Sequence, residues 1–378
     1  MKLLKILNGN DGGGVFQCEK QFIQYWSQKN IEVDAVIVGQ GKSFNTYKSI
    51  VCRHFVLPEM PLSRNLITPL KEIKNTLIKR RYRSQTSSMI DSLVFDQYDA
   101  VIYRRHYFTE TAYQISKRLD VATYWHMPLS VSNIFEKMYF RNIVRRHRIN
   151  VIGNSEYSIR SLFDDSNVYV YPGFDKSRIA NKDTDAFFRK KLSIGDSQVV
   201  FGIAARIKKR KAQHLVIKSF IKLLSDFNNI HLIIAGDPID SPYSKYCIEL
   251  ASDYKENIHF VGHIDNISEF YASIDVYINS RLDAEPFGIS IAESLGSGVP
   301  VIAYKLGGPS EMIVSGHNGW LIRNATVASY YTTLKKALRN KNKWKEMSFN
   351  AMESSKRFDA EVNAEKLLGI ISCSKKQL

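Results

Sequence analysis

The chain has 378 residues, 44% of them hydrophobic and 24% charged, with a formal net charge of +16. That length suggests two domains, and that composition excludes a disordered, collagenous or low-complexity chain. Cys18, Cys52, Cys247 and Cys373 are scattered, without a C-x-x-C pair or a nearby His at ligand spacing, which argues against a disulfide framework or a structural zinc.

Residues 2–7 read as a strand, Asp11-Gly-Gly-Gly14 as a loop, 15–28 as an amphipathic helix and 31–38 as a second strand. Asn8-Gly-Asn-Asp11 interrupts the first apolar run too early for a signal peptide, and no run is long enough for a bilayer span. Further strands are expected at 99–103, 121–125, 149–153 and 167–171. A polar stretch from about 175 to 196 reads as a linker region. A second series follows, with strands at 198–204, 230–235, 257–261, 275–279 and 299–303 and helices at 211–226, 242–253, 266–272 and 287–296. This alternation predicts an α/β chain of two Rossmann-like, doubly wound domains facing an interdomain cleft. The expected division is 1–180 on the acceptor side and 181–358 on the nucleotide-sugar side. Residues 359–378 form a C-terminal helix expected to pack back on the first domain.

The basic surplus is uneven: ten charges in residues 1–180 against six in the rest. One cluster runs through Arg64, Lys71, Lys74, Lys79, Arg80, Arg81 and Arg83, and another through Arg141, Arg145, Arg146 and Arg148. Such clusters suit an anionic membrane surface or a nucleic acid, and equally a solvated helix face.

The densest chemistry lies in Glu285-Pro-Phe-Gly-Ile-Ser-Ile-Ala-Glu293. It follows the strand at 275–279, at a carboxyl end where ligands bind in open α/β sheets. The N–H groups of Phe287, Gly288 and Ile289 open the new helix and suit a phosphate. Glu285 and Glu293 can accept hydrogen bonds from sugar and ribose hydroxyls. Arg206 and Lys211 follow the strand at 198–204 and suit a diphosphate, although Lys208, Lys209 and Arg210 crowd the same loop. Gly12, Gly13 and Gly14 form a phosphate-compatible turn that matches neither G-x-G-x-x-G nor the Walker pattern. His126 follows the strand Val121–Trp125 and precedes Met127-Pro128.

In order and spacing these segments resemble the retaining GT-B glycosyltransferases of family 4, glycosyltransferase group 1. Phe260-Val-Gly262, Asp275-Val-Tyr-Ile, Glu285-Pro-Phe-Gly, Ala292-Glu-Ser-Leu-Gly, Gly298-Val-Pro-Val and Gly307-Gly-Pro-Ser-Glu311 carry the resemblance, densest from 199 to 322. It implies that Arg206 and Lys211 hold the diphosphate. Glu285, with the Phe287–Ile289 backbone, would hold the donor sugar, and Glu293 the ribose. His263 and Ile264 would line the base. Gly13 and Gly14 would approach the phosphate and acceptor, and His126 the sugar near the reacting carbon. Ala205, Ala212 and Pro286 stand where glycine is frequent in that family. The implied enzyme is a hexosyltransferase that transfers from a UDP- or GDP-sugar to a glycan or lipid-linked acceptor in surface polysaccharide assembly. It would retain anomeric configuration, need no metal or other cofactor, and work in the cytoplasm, peripherally on the inner membrane face. Alternatives are a GT-B nucleotide-sugar epimerase, a glycogen-type synthase, a non-catalytic nucleotide-sugar binder and a nucleic-acid-binding protein. The last leaves Glu285 and Glu293 unexplained, so no nucleic-acid partner is expected.

Overall fold

A computed structural model describes residues 1–61, 68–93, 95–179 and 186–375. It divides into two compact units, Met1–Pro172 with Ala360–Leu378, and Gly173–Asp359.

The first unit holds β1 (Lys2–Asn8), β2 (Glu32–Val38), β3 (His54–Leu57), β4 (Ala100–Tyr103), β5 (Thr123–Met127) and β6 (Asn150–Gly153). They form one parallel sheet in the order β3-β2-β1-β4-β5-β6. The period of two in β1 sends Leu3 and Leu7 to one face and Leu4 and Ile6 to the other, and both faces are covered. On the first face the helix Gly13–Gln28 packs through Cys18, Phe22, Ile23 and Trp26. The helix Ala360–Lys375 joins it there through Ala364, Leu367 and Ile371, and the Trp26 indole N–H donates to the Ala364 carbonyl at 3.1 Å.

The second unit repeats the order. β7 (Val199–Ala204), β8 (Ile230–Ala235), β9 (Ile258–Gly262), β10 (Val276–Asn279), β11 (Val301–Tyr304) and β12 (Gly319–Ile322) lie parallel as β12-β11-β10-β7-β8-β9. The helix Gln213–Leu224 covers β7 and β8 with Val216, Phe220 and Leu223. Of the polar stretch read as a linker region, residues 175–179 and 186–196 are described. Arg189 reaches the carbonyls of Ser273, Gly195 and Gln198 and the Asp275 carboxylate at 2.7–3.2 Å.

Two short strands had no forecast, β3 and β12, and both are sheet edges. The strand expected at 167–171 pairs with β6 only at the bridge Gly153–Tyr169. Among the described residues no helix is long and apolar enough to cross a membrane.

Candidate nucleotide-sugar site

In each sheet the strand order reverses direction at the first strand, between β1 and β4 and between β7 and β10. Loops leaving the carboxyl ends of such a pair diverge and leave room for a ligand.

In the second unit the two diverging loops are Ala205–Ala212 after β7 and Ser280–Gly288 after β10. They are stitched by Leu282 N–H donating to the Arg210 carbonyl at 3.1 Å and the Ser280 hydroxyl donating to the Lys211 carbonyl at 2.5 Å. Side chains complete the join. Lys211 Nζ lies 3.2 Å from Glu285 Oε2, and Arg281 Nη1 lies 2.6 Å from Glu285 Oε1. Arg281 also grips both oxygens of Asp283, at 2.5 and 2.8 Å. Burial pulls the Lys211 pKa below its ordinary value, with the Glu285 carboxylate opposing. Burial also weighs on Arg281, but Asp283 and Glu285 outweigh it and hold that guanidinium more firmly protonated than usual.

The Glu285 backbone is fixed as tightly as its carboxylate. Its carbonyl accepts from Gly308 N–H at 2.7 Å, and it bridges to Gly307. A Cβ on Gly307 would fall 2.3 Å from that carbonyl oxygen, at a backbone φ of +81°, so glycine is required. The helix opens at Ile289, two residues later than expected. Phe287 lies before it, buried with its ring against Phe358, and Gly288 is the N-cap at φ +105°. Glu293 rides on the helix, buried, with Arg178 at 2.8 Å and the Tyr271 hydroxyl at 3.4 Å. Burial raises the Glu293 pKa and Arg178 opposes.

The remaining expected residues of this unit are spread more widely. Arg206 is exposed, and its carbonyl accepts from the Gln213 side chain at 3.1 Å. His263 is exposed beyond β9, 3.6 Å from Asp237 and 3.5 Å from Asp265. Ile264, next to it, is half-buried.

In the first unit, Gly13 and Gly14 open the helix Gly13–Gln28 and are exposed. Just before them, buried Asp11 pairs with Arg105, which leaves β4, with Arg105 Nε at 2.8 Å. Burial raises the Asp11 pKa and Arg105 opposes. His126 is fully buried on β5. Its Nε2 donates to the Val170 carbonyl at 2.7 Å, which leaves Nδ1 as acceptor for Arg104 Nη2 at 2.7 Å. Burial, reinforced by Arg104, holds its pKa well below 6.5, so the ring is neutral. The sugar contact implied for His126 requires it to exchange one of these bonds.

Arg104 anchors a closed polar network. It reaches Cys18 Sγ at 2.6 Å, Asn154 Oδ1 at 3.1 Å and Glu19 Oε1 at 3.5 Å, while Glu19 also pairs with Lys5. Burial pushes the Cys18 thiol up to about 12 and lowers the Lys5 pKa. Sequence reasoning passed over Arg104, Arg105, Arg178, Asp11 and Arg281. Arg104, Arg105 and Arg281 could have been found by asking of every strand's carboxyl end what had been asked of His126.

Residues 184–354 match the family Glycosyl transferases group 1. The putative glycosyltransferase YtcC of Bacillus subtilis is 27% identical over 192 residues, covering 49% of this chain and 47% of its own length. A GDP-mannose-dependent alpha-(1-6)-phosphatidylinositol monomannoside mannosyltransferase of Mycolicibacterium smegmatis is 28% identical over 177 residues, covering 44% and 45%. The chain thus spans about half the length of these curated relatives. Among solved structures, Anabaena HepE in complex with UDP superposes with a TM-score of 0.78 at 19% identity, over 99% of this chain and 100% of that one. WaaG, a glycosyltransferase involved in lipopolysaccharide biosynthesis, superposes at 0.67 with 14% identity, over 98% and 99%. The α/β fold of two six-stranded parallel sheets is the fold of these GT-B glycosyltransferases.

Proposed function

We propose that this protein is a glycosyltransferase that moves a hexose-type sugar from a UDP- or GDP-sugar to a glycan or lipid-linked acceptor in surface polysaccharide assembly. The observation that carries this reading is the convergence of Lys211, Glu285 and the Gly288-capped helix where β7 and β10 diverge. The similarity of residues 184–354 to group 1 glycosyltransferases supports it, as do relatives named for O-antigen and lipopolysaccharide synthesis.

In this reading Lys211 and the exposed Arg206 take the diphosphate, and the helix N-terminus adds its partial positive charge. A lysine already carrying a carboxylate partner at 3.2 Å is preformed but occupied; the incoming phosphate replaces Glu285 as its counter-ion. Glu285, released toward the sugar, accepts from its hydroxyls, and Glu293 accepts from the ribose. Lys211, Arg206 and the helix stabilise the charge that develops on the leaving diphosphate, so the reading calls for no metal or other cofactor. Glu285 then orients the sugar, and the anomeric configuration is retained by attack on the face the diphosphate leaves.

The test begins with a panel of nucleotide sugars read by thermal shift, since a bound ligand raises the transition temperature by mass action. With the donor found, Glu285→Ala is expected to lower turnover about a hundredfold or more while nucleotide binding survives. Lys211→Ala is expected to weaken donor binding. Wild-type rates in both variants would refute the assignment, and product NMR with a chosen acceptor reads the anomeric configuration.

A further inference from the structure

The stretch from Gly173 to Ile179 opens the second unit and runs into the polar residues read from sequence as a linker. It is fastened along the helix Ile289–Gly296. Phe174 N–H donates to the Phe358 carbonyl at 2.9 Å, and Lys176 pairs with Asp359. A Cβ on Gly296 would fall 2.6 Å from Phe174 Cζ and 2.7 Å from Ile179 Cδ1, so the stretch lies directly on the last turn of that helix. Asp175 accepts from Ser177 N–H at 2.9 Å and caps the turn Lys176–Arg178. The capped turn aims Arg178 at Glu293, with Nη1 2.8 Å from Oε1.

Arg178 holds Glu293 by one oxygen only. The other, Oε2, has the Tyr271 hydroxyl at 3.4 Å, and the single proton of that hydroxyl goes to the nearer Ser290 carbonyl at 3.0 Å. A carboxylate that is 5% exposed therefore keeps one oxygen without a donor, a costly arrangement until a ligand completes it. An ion pair that served packing alone would close on both oxygens, as Arg281 does on Asp283. Glu293 stands about 7.5 Å along the helix from the Gly288 cap, the direction in which a ribose extends from a phosphate at the helix end. Arg178 also restores what burial removes. Burial raises the Glu293 pKa, and Arg178 is the foremost group opposing it, which favours the charged form. A charged acceptor binds a hydroxyl about twice as strongly as a neutral one.

We propose that Arg178 is a positioning residue for the ribose of the donor nucleotide: it fixes Glu293 by Oε1 so that Oε2 is presented to the ribose hydroxyls. The inference rests on the transferase reading, in which Glu293 accepts from the ribose. It makes the stretch that enters the second unit a working part of the donor site.

The test is titration calorimetry of the full chain with UDP, GDP and the 2′,3′-dideoxy form of each. The wild type is expected to bind UDP or GDP about tenfold or more tighter than its dideoxy form, as a hydrogen bond to a charged group gives. Arg178→Gln is expected to compress that ratio to about threefold or less, by weakening the ribose nucleotide while the dideoxy form keeps its Kd within about twofold. Damage to packing alone would weaken both forms equally. Arg178→Lys keeps the charge without the planar fork and is expected to give an intermediate ratio. Arg178 is one-third exposed, so both variants are expected to fold, which circular dichroism checks. No discrimination by the wild type, a ratio unchanged in whichever variant folds, or an equal loss for both nucleotide forms would overturn the inference. If UDP or GDP binds the wild type while the ratio behaves in any of these ways, only the role of Arg178 falls. If neither nucleotide binds, the transferase reading falls and takes this role with it.

Discussion

Lys211 is a cation that burial makes easier to discharge than an ordinary lysine. Its positive charge is lost as pH rises through the lowered value. Affinity for the nucleotide diphosphate should therefore decline at a lower pH than a solvent-exposed lysine would give, read as Kd against pH. Glu285 opposes the shift, so Glu285→Gln should move that decline to lower pH still. Arg281 acts on the same carboxylate without reaching past it. Arg281→Ala should lower turnover while leaving nucleotide affinity closer to wild type than Lys211→Ala does, because Glu285 loses its 2.6 Å partner but the phosphate keeps its lysine. On the helix side, Arg178 is the cation beside buried Glu293. Arg178→Ala should destabilise the second unit by about 1–2 kcal/mol, less than for a fully buried pair because Arg178 is one-third exposed. Its check is the denaturant midpoint.

At the scale of elements, the turn from β7 into the helix Gln213–Leu224 depends on Ala212, which is fully buried at φ +49°. The left-handed conformation costs an alanine about 1–2 kcal/mol, and removing a buried methyl costs about 0.8 kcal/mol. Ala212→Gly should therefore be neutral or slightly stabilising, while Ala212→Val should cost well over 2 kcal/mol; thermal denaturation measures both. Gly307 has no such latitude: Gly307→Ala should displace Glu285 and lower turnover with nucleotide binding retained. The resemblance had flagged position 212 as a place for glycine, but only the backbone explains why. The central strands were legible because a parallel strand covered on both faces reads as an unbroken apolar run, as Val199–Ala204 does. Edge strands of four residues, His54–Leu57 and Gly319–Ile322, carry too little pattern to separate from loop. The same limit hid the network of Lys5, Glu19 and Arg104. A charged residue in an amphipathic segment reads as solvent-facing, and only the packing of the helix Gly13–Gln28 on the sheet turns these inward. Lys211 and Glu285 were legible because each lies in a loop leaving a strand's carboxyl end, and the resemblance picked Lys211 from its basic neighbours. Their contact was not, since 74 residues separate them.

At the scale of the molecule, the first unit is made of two stretches of chain with the second unit between them. Ala364, Leu367 and Ile371 of the last helix are buried with Phe22, Ile23 and Trp26 of the first. Each large apolar side chain so buried contributes about 1.5–3 kcal/mol, and Trp26 would also lose its acceptor. Ending the chain at Asp359 should therefore destabilise the first unit by several kcal/mol and leave the second nearly unchanged. Hydrogen exchange resolved by unit would read this; equal protection of both units would contradict it.

That interleaving sets an order of events during synthesis. Translation delivers the whole of Gly173–Asp359 before the residues that finish the first core, so the second unit can close while the first still waits. Until Ala360–Lys375 leaves the ribosome, the Trp26 face stays open, and a nascent chain stalled anywhere short of that helix displays it to chaperones and proteases. The helix Ala360–Lys375 thereby serves as a seal on the first unit: a chain that stops short of it leaves that core open, whatever the state of the second unit.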